Sequence, residues 1–150
     1  EFNVMASVES ARKVLTSPVS KLLVPLDVSR RLEMSPDSYR RLRKRISGRL
    51  AELLDGLLPF WFRMHHETLG IEGVVLHAVA ALAAATQPRL FVREDMHVDV
   101  ELAGQLTRGM TVLDRRRATG AQANIAACVD VEVQGVMDYM SRLLAETGDS

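Results

Sequence analysis

Apolar residues along this 150-residue chain follow three kinds of spacing, and each predicts a different element. Residues 73–85, Gly-Val-Val-Leu-His-Ala-Val-Ala-Ala-Leu-Ala-Ala-Ala, are apolar on every side apart from His77. Such a run reads as a buried helix. Gly73 gives it a loose entry and Gln87-Pro88 stops it, because proline cannot continue a helix. At about a dozen residues it is too short to span a bilayer. Helical stripes come next. Val8, Ala11 and Leu15 follow the N-cap candidate Ser7 and predict a helix over 7–16, ended by Pro18. Ser35-Pro36-Asp37 starts another, whose stripe is Leu42, Ile46, Leu50, Leu53 and Leu57. Gly56 and Pro59 are expected to break it, and a separate helix over about 59–69 ends at Gly70. Asp130 can cap a last helix with Val133, Val136, Met137, Met140, Leu143 and Leu144 buried.

The third spacing is that of strands. Residues 21–28, Lys-Leu-Leu-Val-Pro-Leu-Asp-Val, form a short apolar run without a helical stripe. Pro25 cannot donate to a ladder, so this strand frays there or lies at an edge. From Met96 to Leu102 apolar and acidic residues alternate, the mark of a half-buried strand. Gly104 and Gly109 bracket a turn, 110–113 continues extended, Arg115, Arg116, Arg117 and Gly120 mark a polar loop, and 124–129 is another short strand. The order is that of an α/β protein with a mixed sheet. One early parallel strand is thin for such a sheet, which is expected to be incomplete and finished by other strands.

The length is one domain's worth of chain, and a single domain over 1–150 is expected. A net charge of zero gives no global pull toward nucleic acid or an anionic membrane. Cys128 is the only cysteine, which excludes an internal disulfide and a cysteine-based metal site and suits a reducing, cytoplasmic compartment. No stretch reads as a signal peptide or a transmembrane span. The chain opens on Glu-Phe-Asn without an initiator Met, so it is expected to be processed or to be a piece of something longer.

Few residues carry chemistry. His77 reads either as a core histidine hydrogen-bonded to backbone or as a catalytic or ligand-contacting group. Asp27 falls where parallel strands of α/β folds place ligand-binding groups. His65-His66-Glu67 has the wrong spacing for a shared metal ion, since adjacent histidines diverge on a helix and no His follows at i+4. A half-exposed face of Phe60, Trp61, Phe62 and His65 lining a pocket fits better. Arg40, Arg41, Arg43, Lys44, Arg45 and Arg49 could bind phosphate or RNA, but no aromatic residues interleave with them, and a solvated helix face is the plainer reading.

Three stretches together resemble the inosine-uridine-preferring nucleoside hydrolases. Glu1-Phe2-Asn3 is similar to the Glu-Phe-Asn segment with which that family holds ribose hydroxyls. Leu22-Leu-Val-Pro-Leu-Asp27-Val28 resembles the strand that follows in the family after an intervening helix. The most specific stretch runs from Gly73 through His77 to Phe91, then from Val98-Asp-Val-Glu to Thr107-Arg-Gly-Met-Thr-Val112. The resemblance covers nearly all of the chain. It implies the C-terminal half of an open mixed-sheet nucleoside-hydrolase-like fold, either a natural piece or a truncated one.

The family cleaves the N-glycosidic bond of ribonucleosides with a calcium-bound water. The resemblance therefore implies that Glu1 and Asn3 contact ribose, that His77 supplies a proton to the leaving base, and that His65, twelve residues earlier, takes a base-side position. Two departures stand out. The family's Asp-Thr-Asp-Pro-Gly-x-Asp-Asp loop, source of most calcium ligands and of the water-activating base, is not among these residues. The family's His-Asp pair reads His77-Ala78, and calcium needs six to eight oxygens where Ala offers none from its side chain. No metal site, little activity alone, and association with itself or with a missing half are expected. The alternatives are a non-catalytic sugar- or nucleoside-binding or scaffold module, and then a nucleic-acid-binding helical module.

Overall fold

The computed structural model describes residues 1–116 and 120–148. In chain order the elements are α1 (Phe2–Met5), α2 (Val8–Thr16), β1 (Leu22–Leu23), α3 (Leu26–Ser29), β2 (Glu33–Met34), α4 (Pro36–Arg43), α5 (Gly48–Leu69), β3 (Val74–Val75), α6 (His77–Thr86), β4 (Phe91–Val100), β5 (Thr111–Asp114), β6 (Ile125–Val131) and α7 (Val133–Gly148), with a 3-10 turn over Pro88–Leu90. They fall into two compact units, Glu1–Leu26 with Phe91–Asp130, and Asp27–Leu90 with Val131–Ser150. Arg117 of the expected polar loop lies outside the described residues.

The first unit holds an open mixed sheet in the order β1-β6-β4-β5. β1 runs parallel to β6, with Leu22 opposite Ala126, and β4 runs antiparallel to β5, with Val98 opposite Leu113. The alternation read in the sequence gives β4 its buried row of Met96, Val98 and Val100. Met96, Val98, Ile125 and Ala127 form the core, with Leu15 of α2 and Leu23 of β1 packed against it. Arg12 of α2 grips Asp99 of β4 with two hydrogen bonds of 2.8 and 2.9 Å. Asn124 ties three segments together: its Nδ2 donates to the carbonyls of Leu15 and Val98, and its Oδ1 accepts from the Val98 N–H. The expected strand over 21–28 shrinks to Leu22–Leu23. Pro25 has no N–H for the ladder, and the chain turns into α3 one residue later.

The second unit is helical around a core of Met34, Tyr39, Leu42, Ile46, Ala51, Leu58 and Met140. α4 starts as its sequence dictates: Ser35 Oγ accepts from the Ser38 N–H at 3.1 Å, and Pro36 occupies the first turn. It stops at Arg43, and α5 begins at Gly48, whose φ of 61° is left-handed. That break resets the helical phase. Ala51, Leu58 and His65 are buried, with Leu54 and Phe62 packed on the core, while Leu53 and Leu57 of the expected stripe face outward. α5 then passes through Gly56 and Pro59, where a break was expected, and ends at Gly70 in the left-handed conformation. Packing on both sides of Pro59 outweighs the one hydrogen bond its missing N–H removes.

The expected helix over 73–85 begins later. Val74 and Val75 pair antiparallel with Met34 and Glu33, the Leu76 N–H donates to the Leu32 carbonyl at 2.8 Å, and only then does α6 start at His77. In this chain α6 is buried on one face, through Ala80, Ala83 and Ala84, while Leu82 is exposed. The last helix is capped by Glu132, not Asp130: β6 runs on through Asp130 to Val131, and Glu132 Oε1 accepts from the Gly135 N–H at 3.0 Å.

Candidate functional site

His77 sits at a junction the sequence builds in three steps. The two-residue ribbon of β2 and β3 fixes where Val75 ends, the Leu76–Leu32 hydrogen bond extends it by one residue, and α6 opens with the imidazole. The ring is exposed, and its Nδ1 lies 2.9 Å from the hydroxyl of Ser29, a buried residue of α3. The Ser29 hydroxyl can donate to Nδ1 or accept from it, according to the tautomer of the ring. Of the two readings of His77, the buried core histidine is not what the structure shows.

His65 behaves in the opposite way. It is buried on α5, and its Nδ1–H donates to the Trp61 carbonyl at 3.0 Å. A carbonyl can only accept, so this bond fixes the proton on Nδ1. The Trp61 ring stacks on the imidazole with centroids 5.7 Å apart and planes 28° apart. The expected half-exposed aromatic face is thus split, with Trp61 outside and His65 inside. His66 diverges from it and lies 3.0 Å from Glu72.

Glu1 and Asn3 belong to the other unit. Both are exposed, and Asn3 is on α1. Glu1 caps α1 through its carbonyl, while its side-chain Oε1 accepts from the Leu26 N–H at 3.2 Å. Asp27, expected at a strand end, lies on α3.

Among the described residues, no three His, Cys, Asp or Glu side chains converge where a metal ion could sit. Ala78, beside His77, turns an exposed methyl group to its surroundings. The donor set of the described residues therefore does not fit calcium, which requires several oxygens at roughly 2.3–2.6 Å, and no step through a metal follows from it. An apolar groove of about 320 Å³ lies between Leu42, Leu54, Leu58, Leu76, Val79 and Met140; its lining offers a sugar almost nothing to hydrogen-bond. Two of the six basic residues of the cluster are answered by acids: Arg43 bonds Asp55 through Nε at 2.8 Å and Arg40 pairs with Asp37. Arg41 and Arg45 border a polar cleft that also contains Glu33 and Asp138. No helix among the described residues is long and apolar enough to cross a membrane.

Ser29 is the group that sequence reasoning missed. It is 48 residues from His77, on a stretch read as running out of a strand, and no local pattern announces it.

Comparison with known proteins agrees with the earlier resemblance. The family model described as inosine-uridine preferring nucleoside hydrolase matches residues 1–138. A pyrimidine-specific ribonucleoside hydrolase of Enterobacter sp. (strain 638) is 35% identical over 97% of this chain and 47% of its own length. A protein of the same description from Shewanella woodyi is 30% identical over 96% of this chain and 46% of its own. Among solved structures, a purine-preferring ribonucleoside hydrolase from Gardnerella vaginalis superposes with a TM-score of 0.84 at 19% identity, over 97% of this chain and 46% of that one. An inosine-guanosine nucleoside hydrolase superposes with a TM-score of 0.76 at 25% identity, over 96% and 45%. The chain thus spans about half the length of the relatives it matches.

Proposed function

The chain belongs to the inosine-uridine preferring nucleoside hydrolase family, and on that premise we propose that it forms the C-terminal half of a single ribonucleoside N-glycosidase domain. In this reading it carries the proton donor for the leaving base and part of the grip on ribose. The observation that carries it is His77, exposed at the first residue of α6 with its other ring nitrogen against Ser29. A departing base accumulates negative charge on its nitrogen, and an imidazole N–H aimed at that atom lowers the barrier by general acid catalysis. Glu1 accepts hydrogen bonds from ribose hydroxyls, and Asn3 can both donate and accept. Trp61, stacked on the buried His65 ring, forms the base side, and His65 acts there only through that stacking. The resemblance assigns the calcium ligands and the water-activating carboxylate to the Asp-rich segment that these residues do not contain. The partners are a ribonucleoside and either the other half of the domain or further copies of this chain. The lone cysteine suits a cytoplasmic setting.

A second reading is favoured by Ala78: a module that binds a nucleoside or its sugar without cleaving it. Both make this chain inactive by itself toward p-nitrophenyl riboside, with or without calcium. They separate when the N-terminal half of a relative is supplied. The hydrolase reading expects turnover to appear on mixing. The binding reading expects none until Ala78→Asp restores a ligand oxygen. In either case uridine or inosine should quench Trp61 emission. No quenching and no turnover under any of these conditions would overturn both. Ala78→Asp in this chain alone should bind no calcium, since among the described residues no three His, Cys, Asp or Glu side chains converge to share a metal ion.

A further inference from the structure

One cleft of the helical unit carries charges of both signs that do not pair with each other. It has a volume of about 440 Å³ and lies between α4 and α7. Ser38, Arg41 and Arg45 line it at a spacing that follows one face of α4 and its last turn. Gln134, Asp138 and Ser141 line it at the corresponding spacing on α7, and Glu33 of β2 joins them. The apolar part of the lining is rich in methionine: Met34 and Met140 are buried, and Met137 packs against the same core.

The polar groups are held but not satisfied. Arg45 makes no side-chain hydrogen bond or ion pair among the described residues, and Arg41 bonds only the neutral hydroxyl of Ser38 at 3.0 Å. Asp138 accepts only from the Gln134 amide at 2.7 Å, and Glu33 has no polar partner among the described residues. Gly73 leaves the space in which the Glu33 side chain lies; a Cβ there would collide with it. The Ser141 hydroxyl, half-buried on α7, is also unused among the described residues. By contrast Thr68, Thr86 and Thr147 each bond the carbonyl four residues before them in their helices.

The charge balance decides what fills such a space. A simple anion drawn by Arg41 and Arg45 is repelled by Asp138 and Glu33, and a simple cation meets the reverse. A neutral apolar molecule would desolvate all four charges and offset none of that cost. A molecule with a carboxylate and an ammonium a few bonds apart satisfies both signs at once, and guanidinium–carboxylate contacts are of the strong, bidentate kind. The methionines call for an apolar group on the same molecule, and their flexible thioethers adapt to its shape.

We propose that the cleft between α4 and α7 binds a free α-amino acid with an apolar side chain. Arg41 and Arg45 hold its carboxylate, with the Ser141 hydroxyl as a further donor. Asp138 and Glu33 hold its ammonium, and its side chain lies on Met34, Met137 and Met140. A largely apolar hollow with a few convergent polar groups is the usual form of a small-molecule site. The inference does not rest on the hydrolase reading, and its test involves no activity.

Isothermal titration of the chain with L-leucine should show saturable binding at one site. L-leucinamide, which lacks the carboxylate, and N-acetyl-L-leucine, which lacks the ammonium, should each bind about tenfold more weakly or worse, the loss expected when a charged hydrogen-bonding group goes. Arg45→Gln and Asp138→Asn should each weaken L-leucine by a similar factor. Both side chains are exposed, and an unchanged thermal midpoint shows that these variants are folded. Lys44→Gln, in the same basic cluster but outside the cleft, should bind L-leucine as the parent chain does. Isocaproate or inorganic phosphate binding as tightly as L-leucine would make the cleft an anion site and overturn the proposal. So would the absence of saturable binding, or binding that survives both variants. Binding that the N-terminal half of a relative blocks would assign the cleft to that half, and would overturn it too.

Discussion

The buried hydroxyl of Ser29 and the exposed ring of His77 meet at 2.9 Å, although 48 residues separate them in sequence. A short helix thereby sets the orientation of a side chain that opens a longer one. Ser29→Ala should cost the fold about 1 kcal/mol, the usual worth of a neutral hydrogen bond. It should also free Nδ1 and shift the tautomer ratio of His77, read from the nitrogen chemical shifts of the ring. An unchanged ratio would mean that Ser29 does not set the ring.

Tyr39 of α4 donates to Asp55 of α5 at 2.6 Å, and this pair gives the helical unit a pH dependence at both ends. Burial, reinforced by the bond to the carboxylate, pushes the phenol from its ordinary 10.0 up to about 12. The folded state holds that proton more tightly than the unfolded one. Its contribution is complete below pH 10.0 and is lost as the pH rises toward about 12. Asp55 is shifted the other way, below its ordinary 3.8, by the Tyr39 hydroxyl and then by Arg43. Its contribution is present above pH 3.8 and fades as the pH falls through the lowered value. Denaturant midpoints across both ranges should drop at each end, and Tyr39→Phe should remove the alkaline drop.

Pro59 interrupts the hydrogen-bond ladder of α5 on an exposed side of the helix. Pro59→Ala should raise stability, by up to about 3 kcal/mol. The denaturant midpoint measures it, and an unchanged or lowered midpoint would show that the helix has adapted its geometry to the proline.

Gly109 closes the turn between β4 and β5 with a φ of 86°, its N–H donating to the Glu101 carbonyl at 2.8 Å. A Cβ there would be strained by the left-handed backbone and would collide with the side chain of Met5. Gly109→Ala should therefore cost more than the backbone penalty alone, which is about 1–2 kcal/mol. Thermal unfolding followed by circular dichroism checks this, and an unshifted midpoint would mean that Met5 and the turn relax freely.

Residues whose neighbours are close in sequence were readable. Ser35-Pro36 announces α4, Gly70 ends α5, and the alternation of Met96, Val98 and Val100 gives β4 its inner face. What failed depended on distant contacts. The pause at 44–47 changed which leucines of α5 point inward, and no propensity rule foresaw that Leu58 would be buried while Leu57 was not. Pro59 looked like a break because a helix judged alone cannot count the packing that carries it. Val74 and Val75 read as helix because their strand partners, Met34 and Glu33, lie some forty residues earlier. Of the candidate site, His77 and its junction with Ala78 were singled out through a motif. Its partner Ser29 was not, because a hydrogen bond across two helices leaves no periodic trace.

One consequence follows from where two singular residues lie. Cys128, the one thiol, is wholly buried in β6, and burial raises its pKa above the ordinary thiol value. Trp61, the one indole, is on α5. The sheet and the helical unit therefore carry separate native clocks. A thiol reagent can reach Cys128 only when the sheet opens, so its rate of modification times that event. Indole emission times the loosening of the helices. Agreement between the two rates would make unfolding one event, and disagreement would say which unit lets go first.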